Sequence, residues 1–429
     1  MTGHIKGFGD ILHVSRTYPV TTIEGVVLKT NQDLKILILY ASYGDGHLQV
    51  SKALQQCFLE NGNHHVLMID LFARAHPVMN AVTRFAYLKS CSFSPRLYGW
   101  SYYLTQNMRH DQTPAKWLNS FGIGALKEII RVERPDAVIN TFPMLAMPEL
   151  RKQTGLHIPI FTVLTDFILH DRWIHPEIDK YFVANEELKT AIINKGIPAE
   201  RIKVSGIPLR KAFRQPYNKN RIFQRYGLAP SKKIVLIMAG AYGVLQNLKK
   251  ICRALLHLED IQILLVCGKN ESLKERIEAS FAQKPKIHIL GYIEHIQELM
   301  AISSCMVTKA GGITLSEALA LHLPVIVFRP LPGQEKDNAF FLDKKGAALI
   351  AYQIEELVKK VKQILDKRQR VFRMKQAIHA LQKKNASETI VIDILNEIEI
   401  LEKTNGTLIT TEGKLDRDED TSKQSHNPG

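Results

Sequence analysis

Hydrophobic residues fall in short runs rich in β-branched side chains, and these runs alternate with longer amphipathic stretches. Such alternation is typical of parallel sheets whose strands are joined by crossover helices. A basic, proline-punctuated segment from Ile207 to Ser231 separates two series of runs. The pattern predicts two doubly wound α/β domains with a ligand in the cleft between them. The predicted strands are Lys35–Tyr40, His65–Asp70, Asp136–Thr141, Pro159–Leu164 and Lys180–Val183, then Lys233–Met238, Ile261–Cys267, Lys286–Leu290, Cys305–Thr308 and Pro324–Phe328.

The length of 429 residues suits two domains of about 200 residues each. We also expect the final helices, near Ile354–Asp366 and Val371–Lys384, to return across the cleft. The predicted parts are an N-terminal extension at 1–33, a first domain at 34–205, a basic linker at 206–232, a second domain at 233–402 and a disordered tail at 403–429.

The composition, with 45% hydrophobic and 23% charged residues, is ordinary for a globular protein with buried cores. Five scattered cysteines without a CxxC pair favour a reducing compartment and argue against a disulfide framework or a zinc site. No apolar run approaches the ~18–20 residues that span a bilayer. The first twenty residues lack the apolar core of a signal peptide. We therefore expect a cytoplasmic protein.

The formal net charge of +15 is unevenly placed, because residues 201–233 contain ten lysines or arginines and no acidic residue. Such a block suits nucleic acid, a phosphorylated ligand or an anionic lipid surface. The alternative is a solvated linker, and the composition does not distinguish a linker from a binding surface.

The stretch from Pro77 to Val132 lacks a strand pattern, and within it residues 84–121 hold nine aromatic and five basic residues against one acid. Aromatic rings mixed with lysine and arginine suit the interfacial zone of a bilayer. The alternative is an aromatic-rich pair of helices packed on its own domain. The candidates for contact with a lipid ligand or the membrane are Trp100, Tyr102, Tyr103 and Arg109.

The first predicted strand runs directly into the glycine-containing turn YASYGDGH, which ends at His47 and precedes a helix. Gly44 and Gly46 let the backbone turn tightly and approach a ligand. The helix start adds free N–H groups and the positive end of the helix dipole. A dinucleotide site would require a third glycine, and here a histidine faces the cleft instead. His47 is therefore a candidate for catalysis or acceptor binding, and the alternative is a helix cap.

A second motif, KAGGITLSE, follows the strand that ends at Thr308. Gly311 and Gly312 precede a helix start that carries Thr314, which forms an anion site for a diphosphate. Glu317 lies in the first helical turn, where its carboxylate is able to accept both hydroxyls of a ribose.

The loop PGQEKDN follows the next predicted strand. It places Gln334 and Glu335 side by side, which suits the hydroxyls of a sugar, and Asn338 is expected to brace the loop. A glycine-rich turn with a capping box explains Thr314 and Glu317 but leaves this loop unexplained. The motifs together predict a site for a nucleotide sugar.

These residues resemble the family of diacylglycerol glycosyltransferases, which includes processive bacterial glucosyltransferases and plant monogalactosyldiacylglycerol synthases. More distantly they look like the transferase that adds N-acetylglucosamine to the lipid-linked peptidoglycan precursor. The resemblance covers about residues 34–400, with Asp45 standing where the family pattern has asparagine. Besides the second motif and the PGQE loop, it is carried by Tyr43–Val50, Asn140–Pro143, Leu164–Phe167, Gly206–Arg210, Ile237–Gly243 and Cys267–Asn270.

The resemblance implies an inverting transferase of glycosyltransferase family 28 with the GT-B fold, two Rossmann-like domains facing a cleft. UDP-glucose would bind mainly to the C-terminal half, and diacylglycerol or glucosyl-diacylglycerol to the N-terminal half. The implied donor contacts are Arg210 near the diphosphate, Gly240 and Gly243 lining the phosphate site, Ile293 at the uracil, Glu317 at the ribose, and Gln334 with Glu335 at the hexose.

In such a transfer an acceptor hydroxyl attacks the anomeric carbon in line, and a base that takes its proton contributes ~10²–10⁴-fold. His47 is the first candidate, and Asp166 is the second or the partner that orients the base. The DxD sequence Asp416–Asp418, which overlaps a second one ending at Asp420, lies in the predicted tail. Arg210 and the helix start after Gly312 would therefore stabilise the leaving diphosphate, and no essential metal or other cofactor is expected.

The expected function is transfer of glucose from UDP-glucose to diacylglycerol, and onward to glucosyl-diacylglycerol, by a protein peripheral to the inner face of the cell membrane. The product would be a membrane glycolipid of the lipoteichoic-acid anchor type. The alternatives are transfer from UDP-galactose, a non-catalytic protein that binds sugar nucleotides or lipid, and an epimerase of the UDP-N-acetylglucosamine type. Nucleic-acid binding explains the charge but not the PGQE loop. The number of sugars added and the oligomeric state stay open.

Overall fold

The computed structural model describes residues 34–42, 45–93, 95–243, 245–401 and 403, and for 87–93, 95–98 and 101 it describes the backbone alone. Gly44, the predicted N-terminal extension and almost all of the predicted tail lie outside the described residues.

The first half of the chain forms a parallel six-stranded sheet in the order β2-β1-β3-β4-β5-β6. Its inner strands are mostly apolar because helices cover both faces, and all four residues of β3 are buried. The strands are β1 Lys35–Tyr40, β2 His65–Asp70, β3 Ala137–Asn140, β4 Ile160–Val163, β5 Lys180–Val183 and β6 Ile202–Val204. The helices are α1 Asp45–Glu60, α2 Leu71–Ala75, α3 Pro77–Phe93, α4 Pro95–Gln106, α5 Thr113–Ser120, α6 Ile123–Glu133, α7 Ala146–Thr154 and α8 Glu186–Ile193.

The second half repeats this arrangement, with strands in the order β12-β11-β10-β7-β8-β9. Its strands are β7 Lys233–Met238, β8 Ile261–Val266, β9 Ile287–Leu290, β10 Cys305–Thr308, β11 Val325–Phe328 and β12 Ala348–Ala351. The helices are α9 Lys219–Arg225 before the sheet, then α10 Leu248–Leu255, α11 Glu271–Phe281, α12 Ile296–Ile302, α13 Gly312–Ala320, α14 Gln334–Lys344, α15 Ile354–Asp366, α16 Arg368–Leu381 and α17 at 386–401. Short 3₁₀ helices lie at Asp171–Trp173, Ala199–Arg201 and Lys211–Arg214.

The prediction of two doubly wound domains is confirmed, and each of the ten predicted strands is present to within one residue at either end. Two further strands, β6 and β12, were not predicted. β6 (IKV) has three residues with a lysine in the middle, and β12 (ALIA) contains two alanines, so neither stands out as a β-branched run. The exact domain boundaries stay a prediction.

The return across the cleft is made by α17, and not by the two helices for which it was expected. Helix α15 packs on β10, β11 and β12, and α16 packs on α13 and α15. In α17, by contrast, Asp393 and Glu397 form ion pairs with Lys180 of β5, at 2.6 and 2.5 Å. Lys203 of β6 also pairs with Asp393, at 3.2 Å. The last helix that the structure describes therefore contacts the first sheet.

Much of the basic block at 201–233 is neutralised by acidic side chains from elsewhere in the chain, which favours the linker interpretation. Charges paired in this way are poorly placed to attract nucleic acid or lipid. The pairs are Lys203–Asp393, Lys211–Glu60, Arg214–Glu388, Arg225–Glu298, Lys232–Asp260 and Lys233–Asp366.

Across the part of the chain that the structure describes, no helix combines the length and the apolar character needed to cross a bilayer.

Candidate active site

The turn after β1 brings the start of α1 to the second half of the molecule. Ser42 N–H donates to the Asp70 carboxylate at 2.9 Å, which ties the turn to the end of β2. Gly46, in the first turn of α1, lies against the side chain of Ile313 in α13. His47 follows directly, so this candidate base lies where the two halves meet.

His47 has one nitrogen engaged and one available. Its Nδ1 lies 2.7 Å from the carbonyl oxygen of Thr141, which follows β3. Because a carbonyl oxygen only accepts, Nδ1 carries the proton and donates it, and Nε2 is left with a lone pair. The edge of Phe142 packs against the ring at 5.0 Å. Burial lowers the pKa of His47 to about 4, although the bond to Thr141 raises it in part, so the imidazole is neutral at physiological pH.

Asp166 follows β4 and is engaged across the cleft. One of its carboxylate oxygens accepts from Gln334 Nε2 at 2.5 Å and from Asn338 Nδ2 at 2.9 Å, both in α14. The neighbouring Phe167 N–H donates to Asn338 Oδ1 at 2.9 Å. Burial raises the pKa of the Asp166 carboxyl, and the two amide hydrogen bonds oppose that shift.

The close approach of the halves at this point requires a glycine. A Cβ on Gly312, the first residue of α13, would lie 2.1 Å from the carbonyl oxygen of Thr165. The ring of Phe167 stacks on Phe341 of α14 at 5.7 Å, which adds an apolar contact. Sequence reasoning placed Gln334 at the hexose and Asn338 in its own loop, and it missed that both side chains reach Asp166.

The expected nucleotide contacts gather at the carboxyl ends of β9 and β10. Arg210 donates to the carbonyl oxygen of Glu294 at 3.2 Å, next to Ile293. Burial raises the pKa of Glu317 to about 7, and the Arg210 guanidinium lowers it by a smaller amount. Thr314 stands between Glu317 and the glycine pair that begins α13. The structure thus brings together the residues expected at uracil, ribose and diphosphate.

The turn after β7 and the loop after β11 complete the donor side. Gly240 and Gly243 both have positive φ, 83° and 68°, as a tight turn requires. A Cβ on Gly240 would lie 3.1 Å from Cε of Lys309. Lys309 in turn pairs with Glu335, with Nζ 2.5 Å from Oε1. Sequence reasoning assigned no role to Lys309.

The aromatic insertion divides into side chains that face the second half and side chains that face solvent. Tyr103 OH donates to Asp337 at 3.1 Å and accepts from Gly333 N–H at 3.2 Å. Tyr102 packs edge-on against His170, at 4.7 Å. Trp100, in contrast, is 66% exposed.

Two candidates from the insertion therefore occupy the interface between the halves. Tyr102 and Tyr103 contact the loop that begins α14, and this contact restricts their access to a lipid surface. The fourth candidate, Arg109, forms an exposed pair with Asp111 at 2.9 Å.

Two further contacts across the cleft were missed. Arg84 of α3 donates to Tyr242 OH at 2.6 Å. Asp45, at the position that departs from the family pattern, pairs with Lys269 at 3.0 Å. No sequence pattern indicates that Arg84 contacts Tyr242 or that Asp45 contacts Lys269. Only Asp45 was noted, because the family pattern has asparagine at that position. Among the residues that the structure covers, no group of three or more His, Cys, Asp or Glu side chains is placed to hold a metal ion.

Comparison with known proteins agrees with this geometry. The monogalactosyldiacylglycerol (MGDG) synthase family matches residues 47–209, and the glycosyltransferase family 28 C-terminal domain matches residues 234–390. A processive diacylglycerol β-glucosyltransferase of Bacillus cytotoxicus is 45% identical over 364 residues, covering 85% of this chain and 94% of that protein.

Two solved structures share the fold at low sequence identity. MurG of Acinetobacter baumannii is 18% identical with a TM-score of 0.55, covering 84% of this chain and 99% of its own. A Neisseria meningitidis UDP-GlcNAc 2-epimerase bound to UDP-GlcNAc is 14% identical with a TM-score of 0.56, covering 85% and 100%. The fold is thus that of the two-domain GT-B glycosyltransferases.

Fold and family matches together define the class as a glycosyltransferase of family 28. Within that class, the identity and coverage show that the chain belongs to the family of processive diacylglycerol β-glucosyltransferases.

The raised pKa of Glu317 generates a prediction about pH. If its ionised carboxylate accepts the ribose hydroxyls, affinity for UDP-glucose should fall as the pH drops below about 7. The fall should reach about tenfold per pH unit once the carboxyl is protonated. UDP-glucose is the suitable probe because its diphosphate has no proton to lose near neutral pH. Calorimetry between about pH 5.5 and 8.5 measures this dependence.

The matched variant is Glu317→Gln, which should bind more weakly and with no slope over the same range. His47 does not interfere, because its pKa of about 4 lies below that range. Equal affinities of the wild type and Glu317→Gln for UDP-glucose would remove Glu317 from the ribose site, and a slope that persists in Glu317→Gln would assign the pH dependence to another group.

Proposed function

We propose that this protein transfers glucose from UDP-glucose to the hydroxyl of diacylglycerol, with inversion at the anomeric carbon, and then to glucosyl-diacylglycerol. The observation that carries the proposal is His47, a neutral imidazole whose Nε2 is available at the meeting of the two halves. Its setting, in a chain of this family and opposite the expected donor loops, supports a role as the base.

The chemistry follows from these positions. The acceptor hydroxyl gives its proton to Nε2 of His47 while its oxygen bonds to the anomeric carbon. The bond from that carbon to the diphosphate breaks, and UDP leaves with the electron pair. Arg210 and the N-terminus of α13 stabilise the negative charge on UDP. Asp166, whose oxygen already accepts two amide hydrogen bonds, holds α14 in place.

We further propose that this leaving-group stabilisation needs no metal ion. An arginine and the start of a helix both favour anionic oxygens by hydrogen bonding as well as charge. Arg210 lies within electrostatic reach of Glu317, which supports a role for Arg210 beside the expected nucleotide site.

The acceptor is a lipid, so we propose that exposed apolar side chains on α3 and α4 rest on the bilayer. Val82, Trp100 and Leu104 are 61%, 66% and 64% exposed. The two helices pack on each other, and Tyr103 of α4 reaches the start of α14. Amphipathic elements of this kind insert shallowly into the interface. A lipid taken up beside α4 would thus enter next to the cleft.

The function is tested by incubating the protein with labelled UDP-glucose and vesicles that contain diacylglycerol, followed by separation of the lipids. We expect glucosyl-diacylglycerol first and diglucosyl-diacylglycerol later. The rate should change by less than about twofold when EDTA is added. Parallel reactions with UDP-galactose and UDP-N-acetylglucosamine test the two alternatives, a galactosyltransferase and an epimerase.

Transfer of label only from UDP-galactose would make UDP-galactose the donor in place of UDP-glucose. Epimerised UDP-N-acetylglucosamine without any labelled lipid would overturn the transferase proposal. Loss of activity on chelation, restored by Mg²⁺, would overturn the account of the leaving group alone.

Membrane contact is tested with the triple variant Val82→Ser/Trp100→Ser/Leu104→Ser. Flotation with anionic vesicles at high salt isolates the apolar contribution, because salt screens the charges. We expect at least about a tenfold loss of this salt-resistant binding, because the three substitutions remove apolar surface that would be buried in the membrane. Affinity for UDP should not change.

The control is Phe372→Ser/Ile392→Ser, which removes exposed apolar side chains from α16 and α17. It should float like the wild type. Normal flotation of the triple variant, or an equal loss in the control, would place the docking surface elsewhere.

A further inference from the structure

One oxygen of Glu335 is buried without a partner. The residue is 6% exposed, and its Oε1 pairs with Lys309 at 2.5 Å. For Oε2 there is no hydrogen-bond partner within the described part of the chain. A buried carboxylate oxygen left unsatisfied is costly, which makes it a marker for a ligand.

Glu335 lines a cavity of about 590 Å³ at the carboxyl ends of the second sheet. The walls come from the loops after β7, β10, β11 and β12, and they mix polar with apolar side chains. Arg329 is fixed in one wall, where its Nε donates to the carbonyl oxygen of Tyr352 at 2.6 Å. A cavity of this size and character suits a small polar ligand with some apolar surface, as a hexose has.

Lys309 connects this cavity to the expected phosphate site. It follows β10 directly, and its side chain passes beside Gly240 before reaching Glu335. The lysine thus lies between the turn expected at the diphosphate and the carboxylate expected at the sugar. The ion pair engages Oε1 of Glu335, and Oε2 is the carboxylate oxygen left without a partner.

We propose that Lys309 is a positioning residue that determines recognition of the transferred sugar. By binding Oε1 of Glu335, it keeps Oε2 in place as the acceptor for a hydroxyl of the hexose. Without the lysine, the carboxylate would be buried and unpaired, and it would not hold one orientation. A donor that lacks the matching hydroxyl is rejected because Oε2 then stays unsatisfied. The inference rests on the proposed function only in that the donor is a nucleotide sugar.

The test compares the affinities of UDP-glucose and UDP, since only the first carries the hexose. In Lys309→Met, UDP-glucose should bind about tenfold more weakly or worse, while the affinity for UDP changes by less than about twofold. The KM for UDP-glucose should rise accordingly, and Lys309→Arg should recover part of the loss because the cation returns. The matched control is Lys336→Met, an exposed lysine of α14.

The double variant Lys309→Met/Glu335→Gln controls for misfolding. It removes both charges together, so no buried charge is left unpaired. If Lys309 acts through Glu335, the double variant should lose no more of the hexose-specific affinity than Glu335→Gln alone. Equal weakening of UDP and UDP-glucose in Lys309→Met would make the lysine a diphosphate ligand and overturn the proposal. Additive losses in the double variant would also overturn it.

Failure of the proposed function is recognised separately. The proposed function is contradicted if the wild-type protein binds UDP-glucose no better than UDP and transfers no glucose. This is measured before any variant is made. Hexose-specific binding that is lost in Lys309→Met would support the positioning role even in a protein that uses a different acceptor.

Discussion

Two amide groups of α14 donate to a single buried oxygen of Asp166, and the arrangement of the whole site depends on that contact. His47 belongs to the first half and the expected donor residues belong to the second, so neither half contains a complete site. The contact across the cleft brings them together, with Gly312 allowing the backbones to approach and Phe167 stacked on Phe341. A buried, hydrogen-bonded polar contact of this kind favours one relative position of the two halves.

The same closed arrangement joins the helices proposed to rest on the bilayer to the loops expected to bind the donor. Arg84 of α3 reaches Tyr242 in the turn after β7, and Tyr103 of α4 reaches Asp337 at the start of α14. The helices proposed to rest on the bilayer therefore touch both loops that are expected to surround the sugar nucleotide. In the proposed function, the lipid acceptor enters beside α4, and these contacts put that entry next to the loops expected to bind the soluble donor.

The sequence was sufficient for the features that depend on local pattern. Strands such as Lys35–Tyr40 and Lys233–Met238 stand out as apolar runs, and glycine-rich turns mark the helix starts that face the cleft. Contacts between distant residues leave no such mark: Asp166 and Asn338 are 172 positions apart. The pairing of Lys309 with Glu335 was equally invisible, because each residue fits its own motif. Tyr103 matched the composition of a membrane interface, yet its hydroxyl binds Asp337 instead.

In the proposed mechanism His47 takes the proton and Asp166 holds the cleft closed, and one measurement separates these roles. It is the single-turnover rate of glucose transfer at saturating UDP-glucose in Asp166→Asn and in His47→Ala. Asparagine keeps a carbonyl oxygen that is able to accept from Asn338, so Asp166→Asn should stay within about tenfold of the wild type. His47→Ala should lose about 10²–10⁴-fold. A rate for Asp166→Asn as low as that, with His47→Ala nearly normal, would make Asp166 the base and contradict the account.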